Sequence, residues 1–231
     1  MNNTKETIEP TGFLLIDKPT SMTSHDVVQV VRRVTGIRRV GHGGTLDPFA
    51  TGLLVIGVGR ASTRELQSFI GKEKEYEAIM RLGAVSDTQD RDGRINETNQ
   101  PFPTETQFQE ALSGFKGTIN QIPPMYSAKQ VGGRRLYELA RAGQVIERQP
   151  VEIQISELEL LSFDLPLIKF RVRCSAGTYV RTLAHDLGQV LGCGAYLVEL
   201  RRTAVGNIRV SDALPLNDLT KETWIRQLWQ P

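Results

Sequence analysis

The chain reads as an α+β protein, a mixed and mainly antiparallel sheet with flanking helices. Strand-length apolar runs outnumber helical stripes, several of them are joined by short turns, and no internal repeat, low-complexity tract or coiled-coil heptad competes with that reading.

Gly12 to Asp17 is the first strand. Ser24 is expected to cap a helix whose Val27, Val28, Val31 and Val34 share a stripe, and Gly36 stops it. A glycine-rich loop follows. Leu53 to Val58 is a continuous apolar run of strand length, and Ala61 to Ile70 is a short helix ended by Gly71. Another strand lies between Glu75 and Gly83. A polar loop with Asp87, Asp90, Asp92 and Gly93 leads to a helix opened by Thr104 and Gln107 in capping-box spacing. After Ile122, Pro123 and Pro124 break the chain into a protruding segment that resumes as a helix near Leu136 to Arg141. Strand signals follow at 150–163 and 166–174, then a helix from Thr178 to Leu191, a strand from Tyr196 to Val205 and a last short helix from Leu219 to Leu228.

At 231 residues the chain can bury a full core, as one large domain or two small ones. The start, Met-Asn-Asn-Thr-Lys-Glu, carries no basic region leading into an apolar run, and no apolar stretch approaches the ~20 residues that span a bilayer. A cytoplasmic protein without membrane contact is therefore expected. Cys174 and Cys193 are too few and too widely spaced for a disulfide framework or a zinc site, so both are expected to be reduced and buried. The net charge of +2 decides nothing about partners, but its distribution is uneven. Residues 28 to 64 carry Arg32, Arg33, Arg38, Arg39, Arg60 and Arg64 against Asp47 alone; Lys129, Arg134, Arg135, Arg141 and Arg148 dominate 123–148. Such runs suit phosphate contacts or, equally, solvated helix faces.

Several chemistries fail at the level of motif. No Gly-Lys-Ser/Thr follows the glycine loop, no Gly-x-Gly-x-x-Gly opens a helix after a strand, and no serine or cysteine nucleophile elbow is present. A calcium loop through Asp90, Asp92 and Gly93 would put Thr88 at its first ligand position and Asn99 where a glutamate is needed. His25, His42 and His185 form no i, i+4 pair, so no metal site is expected. What remains is Asp47, in Gly41-His-Gly-Gly-Thr-Leu-Asp-Pro-Phe-Ala-Thr-Gly52. The glycines permit close approach to the main chain and Pro48 fixes the turn after Asp47. The residues alone leave two readings open: a carboxylate that caps its own turn, or a reactive one.

This run resembles the catalytic motif of the TruB family, bacterial tRNA pseudouridine-55 synthases. Further matching blocks occur in family order: Leu15 to Pro19 with Thr23-Ser24; Lys74 to Ala78 into Arg81-Leu-Gly83; Ser86 to Asp90; Gln121 to Ala128; Leu136 to Gly143; Cys174 to Leu183; and Leu200 to Gly206. The resemblance implies a pseudouridine-synthase fold over residues 1–210, with an RNA-clasping insertion at about 124–148. The short 211–231 segment departs from typical members, which continue into a PUA-type domain, and leaves a short member and a truncated one both open. The resemblance also implies isomerisation of uridine 55 in the T-loop of tRNA, without cofactor or metal, and binding of the T-arm; apart from the resemblance, a monomer is expected. Asp47 matches the nucleophile, Arg181 its cationic partner, and Tyr76 the aromatic that stacks on the uracil and assists at carbon 5. His42 resembles the residue that fills the vacated base stack, Tyr179 and Leu200 match contacts to the flipped nucleotide, and Lys18 resembles a lysine supporting the active-site loop. Lys129, Arg134, Arg135 and Arg141 would then face phosphates. Ser21 departs from the family's usual glycine. Two rival functions stay open: a non-catalytic tRNA-binding or folding protein, and a glycoside hydrolase, which would need a second positioned carboxylate.

Overall fold

A computed structural model describes residues 10–127 and 129–231. The amino-terminal hexapeptide and Ala128 lie outside the described residues. The first elements are β1 (Gly12–Lys18), α1 (Ser24–Thr35), β2 (Val40–His42), β3 (Thr51–Val58), α2 (Gly59–Ile70) and β4 (Lys74–Leu82). Next come β5 (Ala84–Ser86), β6 (Ile95–Glu97), α3 (Glu105–Ser113), β7 (Gly117–Gln121), β8 (Gln130–Val131), β9 (Arg134–Arg135) and α4 (Leu136–Arg141). The chain closes with β10 (Val151–Asp164), β11 (Leu167–Cys174), α5 (Val180–Val190), β12 (Ala195–Val205), β13 (Ile208–Arg209) and β14 (Leu214–Pro215). Two compact units result, one ending at Lys72 and rejoined by Arg202–Pro231, the other made of Glu73–Arg201.

In the first unit β1 runs antiparallel to β3 from Gly12↔Val58 to Lys18↔Gly52, with β14 parallel on its other edge and β2 antiparallel on β3. Both strands are continuous apolar runs, as expected of strands covered on both faces. Phe13, Leu15, Leu53, Val55, Leu66 and Phe69 share one core cluster. Gly52 has φ +103°, and a Cβ there would stand 2.3 Å from the Arg202 carbonyl oxygen, so only glycine fits.

Two local expectations are corrected in this unit. Thr23, not Ser24, caps α1: its hydroxyl accepts from Asp26 N while the Asp26 carboxylate accepts from Thr23 N, a complete capping box. Ser24 is buried instead and pairs with the main chain of Leu46. The expected helix at Leu219–Leu228 is only 3-10 turns at Leu216–Asp218 and Trp224–Gln227. Trp229 exchanges backbone hydrogen bonds with Phe13 at 2.9 and 2.7 Å, and its ring packs edge-on against Phe13 and Phe69. That pairing holds the chain extended just past the expected helix end.

In the second unit β4, β11, β10 and β7 form an antiparallel sheet in that order. β4 alternates strictly between buried and half-exposed side chains, the signature of a strand with one face on a core. Thr104 and Gln107 cap α3 reciprocally, as their spacing predicts. β5 and β6 form a small hairpin around the acidic loop, and β8 and β9 another in the segment after Pro124. Cys174 and Cys193 are free and buried; burial pushes the Cys174 thiol up to about 12 and raises that of Cys193. Among the described residues no helix is long and apolar enough to cross a membrane, and no cluster of His, Cys, Asp and Glu could hold a metal ion.

Candidate active site

Asp47 lies in the first unit between β2 and β3, half-buried, in a turn closed by the Ala50 N–H donating to the Asp47 carbonyl at 3.1 Å. What distinguishes this turn is how firmly its flanks are held. On the upstream side the Ser24 hydroxyl accepts from Leu46 N at 2.8 Å. On the downstream side the Pro48 carbonyl accepts from Ser21 N at 2.9 Å and from the Lys18 ammonium at 3.3 Å, while Phe49 O accepts from the Thr20 hydroxyl at 3.1 Å. A second buried cation holds the loop's start: Arg202, 1% exposed, donates to Leu53 O at 2.7 Å, Gly44 O at 3.2 Å and Thr45 O at 3.4 Å.

Lys18 is fully buried and also donates to Pro19 O at 2.8 Å and Met22 O at 2.6 Å. Burial lowers its pKa to about 8; the Asp47 carboxylate opposes that fall and Arg202 adds to it. The solvated lysine at a strand end, an ordinary alternative for this sequence, is therefore not what the fold contains. His42 pairs with Ile56 at the end of β2. Its burial, then the charges of Arg202 and His25, hold its pKa below the usual imidazole value, so the ring is neutral at pH 7. The His42 Nδ1 is buried without a hydrogen-bond partner among the described residues. Ser21, where the family usually has glycine, takes φ +64°, a conformation that glycine adopts without cost.

The second unit holds the other candidates. Arg181 is 3% exposed in the first turn of α5, so it is not a solvated helix arginine. It pairs with Asp90 at 3.1 Å and donates to Thr88 O and Tyr126 O, both at 2.7 Å. Asp90 is itself buried and accepts from the Thr88 hydroxyl at 2.6 Å and from Asp92 N at 3.1 Å. Through Asp90 the acidic loop thus serves the Arg181 guanidinium. Tyr76 is buried on β4 opposite Val172, and Leu200 is buried on β12. Tyr179 precedes α5, with its backbone N–H and C=O bound to the Gln121 side-chain amide at 2.8 and 3.0 Å. In the insertion, Arg134, Arg135 and Arg141 are exposed and Lys129 half-buried; Arg135 and Arg141 both lie over the Tyr137 ring.

Sequence reasoning gave no role to Arg202, Asp90 or Gln121. All three lie inside matched blocks, but their partners are remote in the chain, Leu53 standing 149 positions from Arg202.

The sequence model of the TruB family pseudouridylate synthase N-terminal domain matches residues 32–180, which include the Asp47 loop. The chain belongs to the TruB family of pseudouridylate synthases. The tRNA pseudouridylate synthase B C-terminal domain matches residues 181–229 of this TruB-family chain, which include Arg181 and Arg202. A tRNA pseudouridine synthase B from Opitutus terrae is 51% identical over 208 residues, 89% of this chain and 86% of that one. One from Protochlamydia amoebophila is 49% identical over 203 residues, 88% and 77% of the two chains. Among solved structures, a chain of a Cbf5-Nop10-Gar1 complex superposes with a TM-score of 0.74 at 29% identity. A chain of an H/ACA RNP bound to a substrate RNA containing 2'-deoxyuridine gives 0.72 at 27%. This TruB-family chain is covered to 93% and 96% in those comparisons but spans only 55% and 60% of the chains it matches.

Proposed function

We propose that this chain isomerises uridine 55 in the T-loop of tRNA to pseudouridine, with Asp47 as the nucleophile. The observation that carries the reading is the Asp47 turn, a half-buried carboxylate whose neighbours on both sides are tied down by buried side chains. A carboxylate that merely capped a turn would need no such clamp. The relatives named tRNA pseudouridine synthase B, matched over most of both chains, support tRNA as the substrate.

In this reaction the C1′–N1 bond breaks, the uracil turns, and a C1′–C5 bond forms. C5 gives up a proton and N1 gains one, so substrate and product are isomers and no electrons are exchanged. The Asp47 carboxylate holds the sugar by bonding to C1′, or removes the C2′ proton to give a glycal, while the base turns. Tyr76 stacks on the uracil, a contact worth about 1–3 kcal/mol, and its phenol assists loss of the C5 proton. Arg181, held in register by Asp90, is the cationic partner of the Asp47 carboxylate in this reading. His42, neutral and half-buried, fills the stack that the extruded base leaves, offsetting an opening cost of a few kcal/mol. Leu200 and Tyr179 line the flipped nucleotide. Residues 1–210 form the catalytic part, and the basic segment at about 124–148 closes on the T-arm, the protein acting as a cytoplasmic monomer.

The test is a T-arm stem-loop transcript carrying 5-tritiated uridine. The parent protein releases tritium and leaves pseudouridine at position 55 without free uracil, whereas Asp47→Asn binds the RNA and releases none. Turnover by Asp47→Asn at the parent rate would remove the nucleophile assignment. RNA binding without isomerisation by the parent would favour a folding or binding protein. A slower reaction with 2′-deuterated uridine selects the glycal route.

A further inference from the structure

The basic run at residues 28–64 is not used by the chemistry above, and the fold gathers part of it on one side of the first unit. The Arg39 carbonyl accepts from Gly59 N at 2.7 Å, which joins the Arg38–Arg39 turn to the start of α2, where Arg60 and Arg64 stand one helical turn apart. The side chains of Arg38, Arg39, Arg60 and Arg64 are exposed, and none forms an ion pair among the described residues. Glu65 is the only acidic residue of α2, and the first turn of that helix contains none. Arg60 also sits at a helix N-terminus, where a cation opposes the helix dipole. Four unpaired arginines in an arrangement that disfavours folding suggest a surface kept for a polyanion.

The position of the patch identifies that polyanion. β2 begins immediately after Arg39 and ends at His42, so the patch starts about 10 Å along one short strand from the residue assigned to the opened base stack. The strand then leads through the glycine turn to Asp47 in the same unit. We infer that Arg38, Arg39, Arg60 and Arg64 form a second RNA-binding surface, which contacts backbone phosphates of the duplex flanking the extruded uridine. This rests on the proposed function and adds to it a phosphate-binding face outside the 124–148 insertion. The contacts carry no sequence information; they fix the register of the RNA so that one nucleotide meets His42.

The test compares the parent, a variant with all four arginines changed to Gln, and one with all four changed to Lys, on full-length tRNA transcript at several salt concentrations. The parent's formation of pseudouridine checks the function itself. The Gln variant is expected to keep kcat and to raise KM on the order of tenfold at low salt, and its log KM against log salt slope is expected to fall by about 3, since each of the four lost phosphate contacts removes somewhat under one unit. The Lys variant should keep the parent slope. An unchanged KM and slope in the Gln variant, with the parent active, overturns the inference, and so does an equal loss in the Lys variant. An inactive parent would instead remove the functional reading.

Discussion

The Lys18 ammonium donates to the carbonyl of Pro48, the residue after Asp47, at 3.3 Å, and does so from a site closed to solvent. Its three N–H groups serve three carbonyls, and its folded pKa of about 8 lies below the usual 10.5 because burial disfavours the charge. Above pH 8 the neutral amine has two donors for three acceptors, so turnover is expected to fall with a single proton loss near pH 8. Stability should move the other way. Between pH 8 and 10.5 the unfolded chain binds the proton that the folded one has lost, so this group's contribution to folding stability rises with pH. Urea titrations at pH 7 and 9.5 should show that rise in the parent, beyond whatever remains in Lys18→Met.

Asp90 and Arg181 form a buried pair, and removing one member leaves the other charge uncompensated. Asp90→Asn is expected to cost about 3 kcal/mol in urea unfolding. It should also lower kcat more than it raises KM, because the guanidinium that donates to Thr88 O and Tyr126 O would lose the carboxylate that fixes its register.

Ser21 holds a left-handed backbone, a strain of about 1–2 kcal/mol for a residue with a Cβ. Ser21→Gly should gain up to about 1 kcal/mol after the added flexibility of the unfolded chain is counted. Activity should not change, since the contact to Pro48 is made by the backbone N–H. Ser21→Val should destabilise, as measured in the same unfolding assay.

Arg202 spreads its fork over the carbonyls of Gly44, Thr45 and Leu53. Lysine keeps the charge but not the fork, so Arg202→Lys is expected to release the start of the Asp47 loop. A displacement of about 1 Å in such a loop is worth about a hundredfold in rate. Single-turnover kinetics on the stem-loop should show that loss in the chemical step with RNA affinity retained.

The larger elements were legible because their causes are local. The alternation of β4, the Thr104–Gln107 capping box and the glycine ending α1 each leave a mark within a few residues. β7 leaves no such mark, because Gly-Thr-Ile-Asn-Gln has little strand character of its own and pairs with β10 thirty or more positions away. The last segment has a helical periodicity that the fold realises only as 3-10 turns, and the chain just beyond it is drawn to Phe13, more than 200 positions away. At the site, Asp47 stands out by its glycines and Pro48. Arg202 does not: Arg201 and Arg202 are neighbours of one type, and only tertiary pairing buries the second.

The packing of Trp229 on Phe13 and Phe69 has a practical reach. The chain's two tryptophans, Trp224 and Trp229, both belong to the unit that carries Asp47, and the unit built from Glu73–Arg201 contains none. Intrinsic tryptophan emission is therefore a built-in optical gauge of the half that carries Asp47. Far-ultraviolet dichroism sees both halves, so comparing the two signals during denaturation tells whether they come apart together.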